Sequence, residues 1–190
     1  MATCGAISIG SAADCLNIPD GGTNARLILF NYDDIEEMTE DVNGVITAIT
    51  LNDGAFGYEF MGFRNDVKKS EEVIKPEIGV PKFKHITSFV IYENTQVQKN
   101  NVENLARGTF VAIVENKGKN ANSFEVMGKG VGLEIVAGPI RNAYENGGFF
   151  VINLATADDQ NVLESKLPQT LLATDYQGTL ALIEALLPAS

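Results

Sequence analysis

Short runs of apolar and β-branched residues, closed by glycine, proline or asparagine, recur along most of this 190-residue chain. The run at 26–32 is largely apolar and predicts a strand buried on both faces. The runs at 45–51 and 55–63 are separated by Asn52-Asp53-Gly54, and this turn signal predicts a hairpin. Short turns between most strands favour antiparallel sheets, because parallel strands need a crossover connection.

The second strand of this hairpin is rich in aromatic residues. At a period of two residues, Phe56, Tyr58 and Phe60 share one face of the strand, and Gly57 and Glu59 lie on the other. We expect this aromatic face to pack against the core or against a partner.

Further strands follow, and helices are few. Strands are predicted at 83–93, 109–115, 123–127, 133–137 and 149–155. The 109–115 and 123–127 strands form a second hairpin, Thr95 caps a helix that ends at Gly108, and a C-terminal helix covers about 179–187. The pattern predicts a mainly β (α+β) fold, an antiparallel β-sandwich or barrel with one packed helix and a C-terminal helix.

The length fits one domain. Residues 1–24 are small, polar and rich in glycine, and we interpret them as an N-terminal arm before a single domain at 25–190. Residues 64–82 are densely charged and contain Pro76 and Pro81. This segment is predicted to be a long projecting loop or hairpin tip that contacts a neighbour, with a mobile surface loop as the alternative.

The chain has 25 acidic and 14 basic residues and a net charge of −11, which is the wrong sign for tight binding to nucleic-acid phosphates. An acidic run at 33–41 is predicted to form a short helix or a loop. The middle, 64–129, is mildly basic, so oppositely charged faces can meet between copies; a solvated acidic face is the alternative. A calcium site is disfavoured because no D-x-D-x-D-G loop is present.

Residues suited to chemistry are scarce, with one histidine, two cysteines and no tryptophan. His85 lies beside Lys82 and Lys84 without a placed carboxylate or serine, so a surface or hydrogen-bonded role is favoured over catalysis. Cys4 and Cys15 are too few for a zinc site; two free thiols are favoured over a disulfide. We therefore predict no enzyme activity, no catalytic residue, no cofactor and no metal.

Two local patterns have weak chemical interpretations. The glycines of Gly128-Lys129-Gly130-Val131-Gly132 lie between strands rather than before a helix, so a bend or bulge is favoured over a phosphate loop. The adjacent carboxylates Asp33/Asp34 and Asp158/Asp159 are unsuited to glycosidase chemistry, because adjacent strand residues point to opposite faces.

No apolar run approaches the roughly 18 residues of a membrane span, and no basic residue precedes Arg26 as in a secretory signal. The sequence therefore predicts neither a membrane partner nor export.

The order of hairpin, long charged segment, strand, single helix, paired strands and glycine-bounded final strand resembles the tail-tube fold of tailed bacteriophages. The stretches that carry it are 45–63, 82–115 and 123–156, followed by Leu167-Pro168 and Thr174-Asp175-Tyr176. Together they cover most of 26–190. The chain also resembles virion ring and tail proteins of phages of Bacteroidetes, the crAss-like group included. The cysteine-containing leader has no counterpart.

The resemblance implies a non-enzymatic virion structural protein, made in the host cytoplasm, that forms a homo-oligomeric ring of six or twelve copies in a phage tail or neck. Its partners are other copies and neighbouring tail or neck proteins. DNA passes through its channel without specific binding, for which a negative charge has the right sign. The alternative is a monomeric β-sandwich binding module of carbohydrate or adhesin type, although sugar sites lean on exposed tryptophan.

Overall fold

Eleven strands and two α-helices occur in the residues that the computed structural model describes, which are 22–63, 66–75, 77, 79–138, 140–141, 147–157 and 163–188. The strands are β1 (Thr23–Asn31), β2 (Ile35–Glu40), β3 (Ile46–Leu51), β4 (Tyr58–Met61), β5 (Lys68–Ile74), β6 (Lys82–Ile91), β7 (Phe110–Asn116), β8 (Phe124–Met127), β9 (Glu134–Ile135), β10 (Phe150–Ala155) and β11 (Gln169–Leu171). The helices are α1 (Gln96–Leu105) and α2 (Tyr176–Ala185).

The strands form two sheets. Sheet A has the order β2-β3-β11-β8-β7-β1-β4, and sheet B has the order β5-β6-β10-β9. The strand pairs are antiparallel except for β11 and β3, which pair in parallel through Leu171 and Ile46. The predicted mainly β fold with two helices is confirmed, and its two sheets are consistent with a sandwich.

Sheet A is the middle layer of the molecule, and β1 shows why. Leu27 and Leu29 belong to the core shared with sheet B and α1, whereas Ile28 and Phe30 belong to the core shared with α2. Because alternate side chains of a strand point to opposite faces, a strand with a core on each side must be apolar throughout. The predicted burial of the 26–32 run on both faces is confirmed for these four residues.

Sheet A is strongly curled around α2. Only four Cα steps separate Asn31, at the end of β1, from Ile35, at the start of β2, and they span at most about 14 Å. In a flat sheet these strands would lie about 24 Å apart, five strand spacings across. The sheet therefore bends, and its concave face packs against α2 through Ile183 and Leu180.

The predicted hairpin between 45–51 and 55–63 is wrong. Both strands exist, but β3 pairs with β2 and β11, whereas β4 pairs with β1 near the other end of sheet A. The turn does form, since Gly54 has φ 78°. The chain then runs past α2, where Gly57 donates to the Leu186 carbonyl at 2.9 Å. A turn signal fixes the reversal of the chain but not which strand becomes its partner.

Two loop predictions also need correction. The acidic run at 33–41 forms a 3₁₀ turn at Tyr32–Asp34 and then edge strand β2, not an α-helix or an irregular loop. The segment at 64–82 contains edge strand β5, which pairs with β6 from Lys68↔Ser88 to Ile74↔Lys82. Charged side chains are common on edge strands, so a high density of charge does not exclude a strand. Because of this charge, neither strand was predicted from the sequence.

Several local predictions are confirmed. The β7–β8 hairpin forms, and α1 is capped by Thr95, whose hydroxyl accepts a hydrogen bond from the Gln98 amide at 3.2 Å. The C-terminal helix begins earlier than predicted, because Asp175 caps it by accepting from the Gly178 amide at 2.7 Å.

Candidate functional site

The outer edge of β4 borders an open groove with a volume of about 600 Å³. Strand β4 ends sheet A, and no strand among the described residues pairs with its outer side. The walls come from 57–61, from 90–93 at the end of β6, from Gln98 and Asn101 of α1, and from Leu187-Pro188. We call this feature the β4 groove.

An aromatic cluster lies at one end of the β4 groove. The Tyr92 ring contacts Phe63 at a centroid distance of 5.0 Å and Phe149 at 4.6 Å, both edge to face. Phe63 is 71% exposed and Met61, at the end of β4, is 70% exposed. Edge-to-face packing gives the cluster a defined shape while its outer surface remains open to a partner.

The predicted aromatic face of the β4 segment is confirmed in its alternation. Phe60 packs on Phe89 with ring centroids 4.6 Å apart, and Tyr58 lines a cavity together with Phe60. Gly57 lies on the opposite face, where an added Cβ would meet the Phe30 ring at 2.5 Å. On this face Phe60 packs against the core, whereas Tyr58 is half exposed.

Two polar contacts hold the walls of the groove. Arg26 on β1 pairs with Glu59 on β4, Nε to Oε1, at 2.5 Å. The Tyr92 hydroxyl donates to Asp66 Oδ2 at 2.5 Å, and this hydrogen bond raises the pKa of Tyr92. The polar anchors lie beside the exposed apolar side chains, which is the distribution found at protein interfaces.

The sequence did not single out Tyr92 and Phe149 as parts of this site. Tyr92 and Phe149 flank strands of sheet B, whereas Met61 ends β4 of sheet A and Phe63 follows it. The available signal was weak: an aromatic residue directly after or before a strand, next to a turn. Only the packing of the two sheets brings these side chains together.

His85 lies far along β6 from the groove and is buried, with 2% of its surface exposed. The predicted hydrogen-bonded role is confirmed: Nδ1 accepts from the Gly128 amide at 3.1 Å, and Nε2 donates to the Lys166 carbonyl at 3.0 Å. Burial lowers its pKa, against the opposing effect of Glu164. Because both ring nitrogens are engaged, His85 is not positioned to transfer a proton to a ligand.

The glycine segment 128–132 forms a turn, as predicted, with φ of 74° at Gly128 and 80° at Gly132. Its amides also bind an anionic group from this same chain. Glu164 Oε1 accepts from the Gly130 amide at 2.8 Å and from the Val131 amide at 3.1 Å. These two donors are thus already engaged within the protein.

A charged cluster covers this turn. Lys129 and Lys166 both pair with the Glu40 carboxylate, Lys166 at 3.1 Å. With Lys129 as the largest contributor, these hydrogen bonds lower the pKa of Glu40 to about 2. The cluster links edge strand β2 to the segment before β11.

The remaining candidates from the sequence are two pairs of adjacent carboxylates and two cysteines. Asp33 and Asp34 lie in the 3₁₀ turn, where Asp34 accepts from Asn31 at 2.6 Å. Asp158, Asp159, Cys4 and Cys15 lie outside the described residues. Within the described ranges, no three His, Cys, Asp or Glu side chains are grouped to hold a metal.

No family model, curated protein or solved structure matches the chain. Neither described helix is long and apolar enough to span a membrane. The resemblance to tail-tube proteins thus remains a prediction from the sequence pattern, and the β4 groove is the strongest candidate surface of the described part.

Proposed function

We propose that this protein is a non-enzymatic structural protein of a phage virion, which assembles into a ring in the tail or neck around the channel that DNA passes through. The observation that carries the proposal is the β4 groove, where a strand edge with no partner among the described residues lies beside exposed Met61 and Phe63. A large exposed apolar patch marks a site of association, and an open strand edge adds backbone donors and acceptors.

A second exposed apolar patch, at the end of the β5–β6 hairpin, supports a head-to-tail arrangement of copies. At the tip of the β5–β6 hairpin, Val73 and Val80 are 56% and 70% exposed, at the opposite end of β6 from the groove. An interface between two different patches repeats around an axis and closes into a ring when the rotation permits. We propose that this hairpin end meets a neighbouring copy, as the long charged segment first suggested.

The charge distribution supports passage of DNA without binding. Glu36 and Glu37 are exposed on β2, in a chain of net charge −11. A negative surface repels phosphates, so a duplex moves past it without the counterion release that drives association. The ring of six or twelve copies implied by the resemblance remains part of this proposal.

Light scattering of the purified protein across concentration tests the proposal. We expect a discrete ring-sized species whose proportion increases with protein concentration. Electron microscopy of that species should show rings or tubes. The double variant Met61→Ser/Phe63→Ser should remain folded and lose most assembly, because both side chains are largely exposed in the subunit.

The matched control is Val42→Ser. Val42 is fully exposed in the turn between β2 and β3, away from the groove. This variant should assemble like the unaltered chain. Equal assembly of the groove variant and the control would remove the β4 groove from the interface, and a strict monomer at every concentration would contradict self-assembly.

One observation favours the alternative of a monomeric carbohydrate-binding module. The groove and the adjoining cavity of about 270 Å³ share Tyr58, Phe60 and Asn101. Aromatic faces beside amides are suited to sugars, whose rings stack while their hydroxyls hydrogen-bond. A monomer that binds immobilised glycans through Tyr58, with binding lost in Tyr58→Ala, would favour this function over the ring.

A further inference from the structure

The chain crosses from sheet B to sheet A through residues 163–168. Glu164 exchanges two backbone hydrogen bonds with Phe83, at 2.8 and 3.0 Å, beside the start of β6. Five residues later Gln169 begins β11, which lies between β3 and β8 in sheet A. We call residues 163–168 the crossing segment. Whatever holds it in place also holds the two sheets together at this end.

His85 binds the crossing segment on one side and the glycine turn on the other. Its Nε2 donates to the Lys166 carbonyl, and its Nδ1 accepts from the Gly128 amide. The Gly128 amide can only donate, so Nδ1 must be unprotonated, and the ring is neutral with its proton on Nε2. Both contacts therefore require one tautomer of a neutral imidazole.

Glu164 makes a second connection between the same two segments. Its carboxylate oxygen accepts from the Gly130 and Val131 amides, at 2.8 and 3.1 Å. The fit is close, since a Cβ on Gly130 would lie 2.6 Å from Glu164 Oε2. The turn is thus fastened at one point by the His85 ring and at two by the Glu164 carboxylate.

Charged groups act on His85 from three neighbouring parts of the chain. Glu71 lies on β5, Glu125 on β8 and Glu164 in the crossing segment, and each attracts a proton to the ring. Glu125 is paired with Lys69 of β5, which reduces its effect. The Lys129 and Lys166 side chains are directed to Glu40. Burial of the ring outweighs the carboxylates and disfavours the charged imidazolium.

We propose that His85, Glu164 and the glycine turn form a pH-sensitive latch, which holds the crossing segment in place at neutral pH and releases it on acidification. Protonation puts a hydrogen on Nδ1, opposite the Gly128 amide, so two donors face each other and the hydrogen bond is lost. A solvated His85 in the open latch accepts the proton at its ordinary pKa. The latch lies within one subunit and is independent of the proposed assembly.

The linkage fixes the direction and the pH range of the effect. The pKa of His85 is lowered in the closed form from its ordinary value of 6.5, so the open form binds more protons below that pH. The open population should rise as the pH falls below about 6.5, with a limiting slope of about tenfold per pH unit, until the closed form also titrates. Above that value the latch should be insensitive to pH.

Nuclear magnetic resonance of the full chain tests the latch directly, because His85 is the single histidine in the sequence. At neutral pH we expect ring nitrogen shifts of the Nε2-protonated tautomer and a titration midpoint below 6.5. The opposite tautomer, or a ring that is already charged at neutral pH, would overturn the proposal.

Amide hydrogen exchange measures opening. Corrected for the intrinsic rate, protection of the Gly128, Gly130 and Val131 amides should fall as the pH is lowered from about 6.5 to about 5.5, by up to about fivefold. The Ile113 amide in the core of β7 should keep its protection. A parallel loss at Ile113 would indicate global unfolding, and unchanged protection at Gly128 would indicate a rigid turn; either result overturns the latch.

Two variants separate the roles of the ring and the carboxylate. His85→Asn supplies an amide oxygen near the position of Nδ1 and cannot titrate, so the pH dependence of Gly128 protection should disappear. Glu164→Gln keeps an acceptor oxygen but removes a charge that raises the pKa of His85, so the His85 midpoint should fall further. A midpoint unchanged by Glu164→Gln would contradict the coupling, and it can be read even if His85→Asn fails to fold.

Discussion

At the scale of single residues, polar contacts join segments that are far apart in the chain. Buried Glu115 of β7 accepts from the Asn24 side chain near the start of β1, at 2.7 Å, and from the Tyr176 hydroxyl of α2, at 2.9 Å. Burial, followed by this contact with Glu115, raises the pKa of Tyr176. One carboxylate therefore positions a helix against a sheet.

The Glu40 cluster gives a pH prediction at this scale. Lys129 and Lys166 lower the pKa of Glu40 from 4.5 to about 2, so the folded state holds this carboxylate charged where the unfolded chain protonates it. The stabilisation is complete above the unfolded pKa and is lost as the pH falls from about 4.5 to about 2.

Urea unfolding across this pH range checks the prediction. The stability difference between the unaltered chain and Glu40→Gln should shrink as the pH falls through that window. The control is Glu37→Gln, at an exposed position of the same strand. A stability difference for Glu40→Gln that does not change with pH would show that the ion pairs add nothing to the folded state.

At the scale of elements, α2 depends on its cap and on the curled sheet. The Asp175 side chain accepts from the Gly178 amide at 2.7 Å, and Ile183 is fully buried against sheet A. The helix has ten residues, which is too short to be stable alone in water, so packing supplies most of its stability.

Asp175→Ala should lower the free energy of unfolding by about 1 kcal/mol, because it removes the partner of an exposed helix amide. Chemical denaturation measures the change. The matched control is Gln177→Ala, an exposed position in the first turn of the same helix, which should change stability little. Equal losses in the two variants would exclude a capping contribution from Asp175.

The β5–β6 hairpin limits which residues of 64–82 can be removed without unfolding the subunit. Removal of all of 64–82 should disrupt the subunit, because Val67, at 2% exposure, lies in the core and β5 pairs directly with β6. Replacing only 75–81 by Asn-Gly keeps the Ile74↔Lys82 pair and matches a two-residue hairpin turn.

This shortened variant should unfold at nearly the same temperature as the unaltered chain and assemble poorly, since the proposed contact with a neighbour is removed. Circular dichroism checks the first point and light scattering the second. Full assembly of a folded variant would exclude the hairpin end from the interface. Loss of the fold would show instead that 75–81 contribute to the subunit itself.

At the scale of the whole molecule, net charge and exposed apolar surface have opposite effects on the association of copies. A net charge of −11 disfavours close approach of copies, whereas the β4 groove favours it. If apolar contacts dominate the interface, assembly should increase between about 0.05 M and about 0.5 M salt, because screening weakens the repulsion. Sedimentation velocity measures this. Dissociation with salt would instead indicate that oppositely charged faces form the interface.

The sequence by itself determined the local pieces of this protein. The positions of most strands other than β2, β5 and β11 follow from periodicity, which acts over a few residues, and so does the burial of β1 on both faces. The β7–β8 hairpin and the Thr95 cap follow from equally local turn and capping signals. The turn at Gly54 was predicted for the same reason.

Only the tertiary structure decided which strands pair and which side chains meet. Strands β3 and β4 lie on either side of one turn in the sequence, yet they are far apart in the strand order of sheet A. The curl of the sheet around α2 places β4 beside β1. The groove and the latch each join residues from both sheets, such as Met61 with Tyr92 and His85 with Gly128. Such contacts depend on backbone pairing and packing across the whole chain, and no local pattern encodes them.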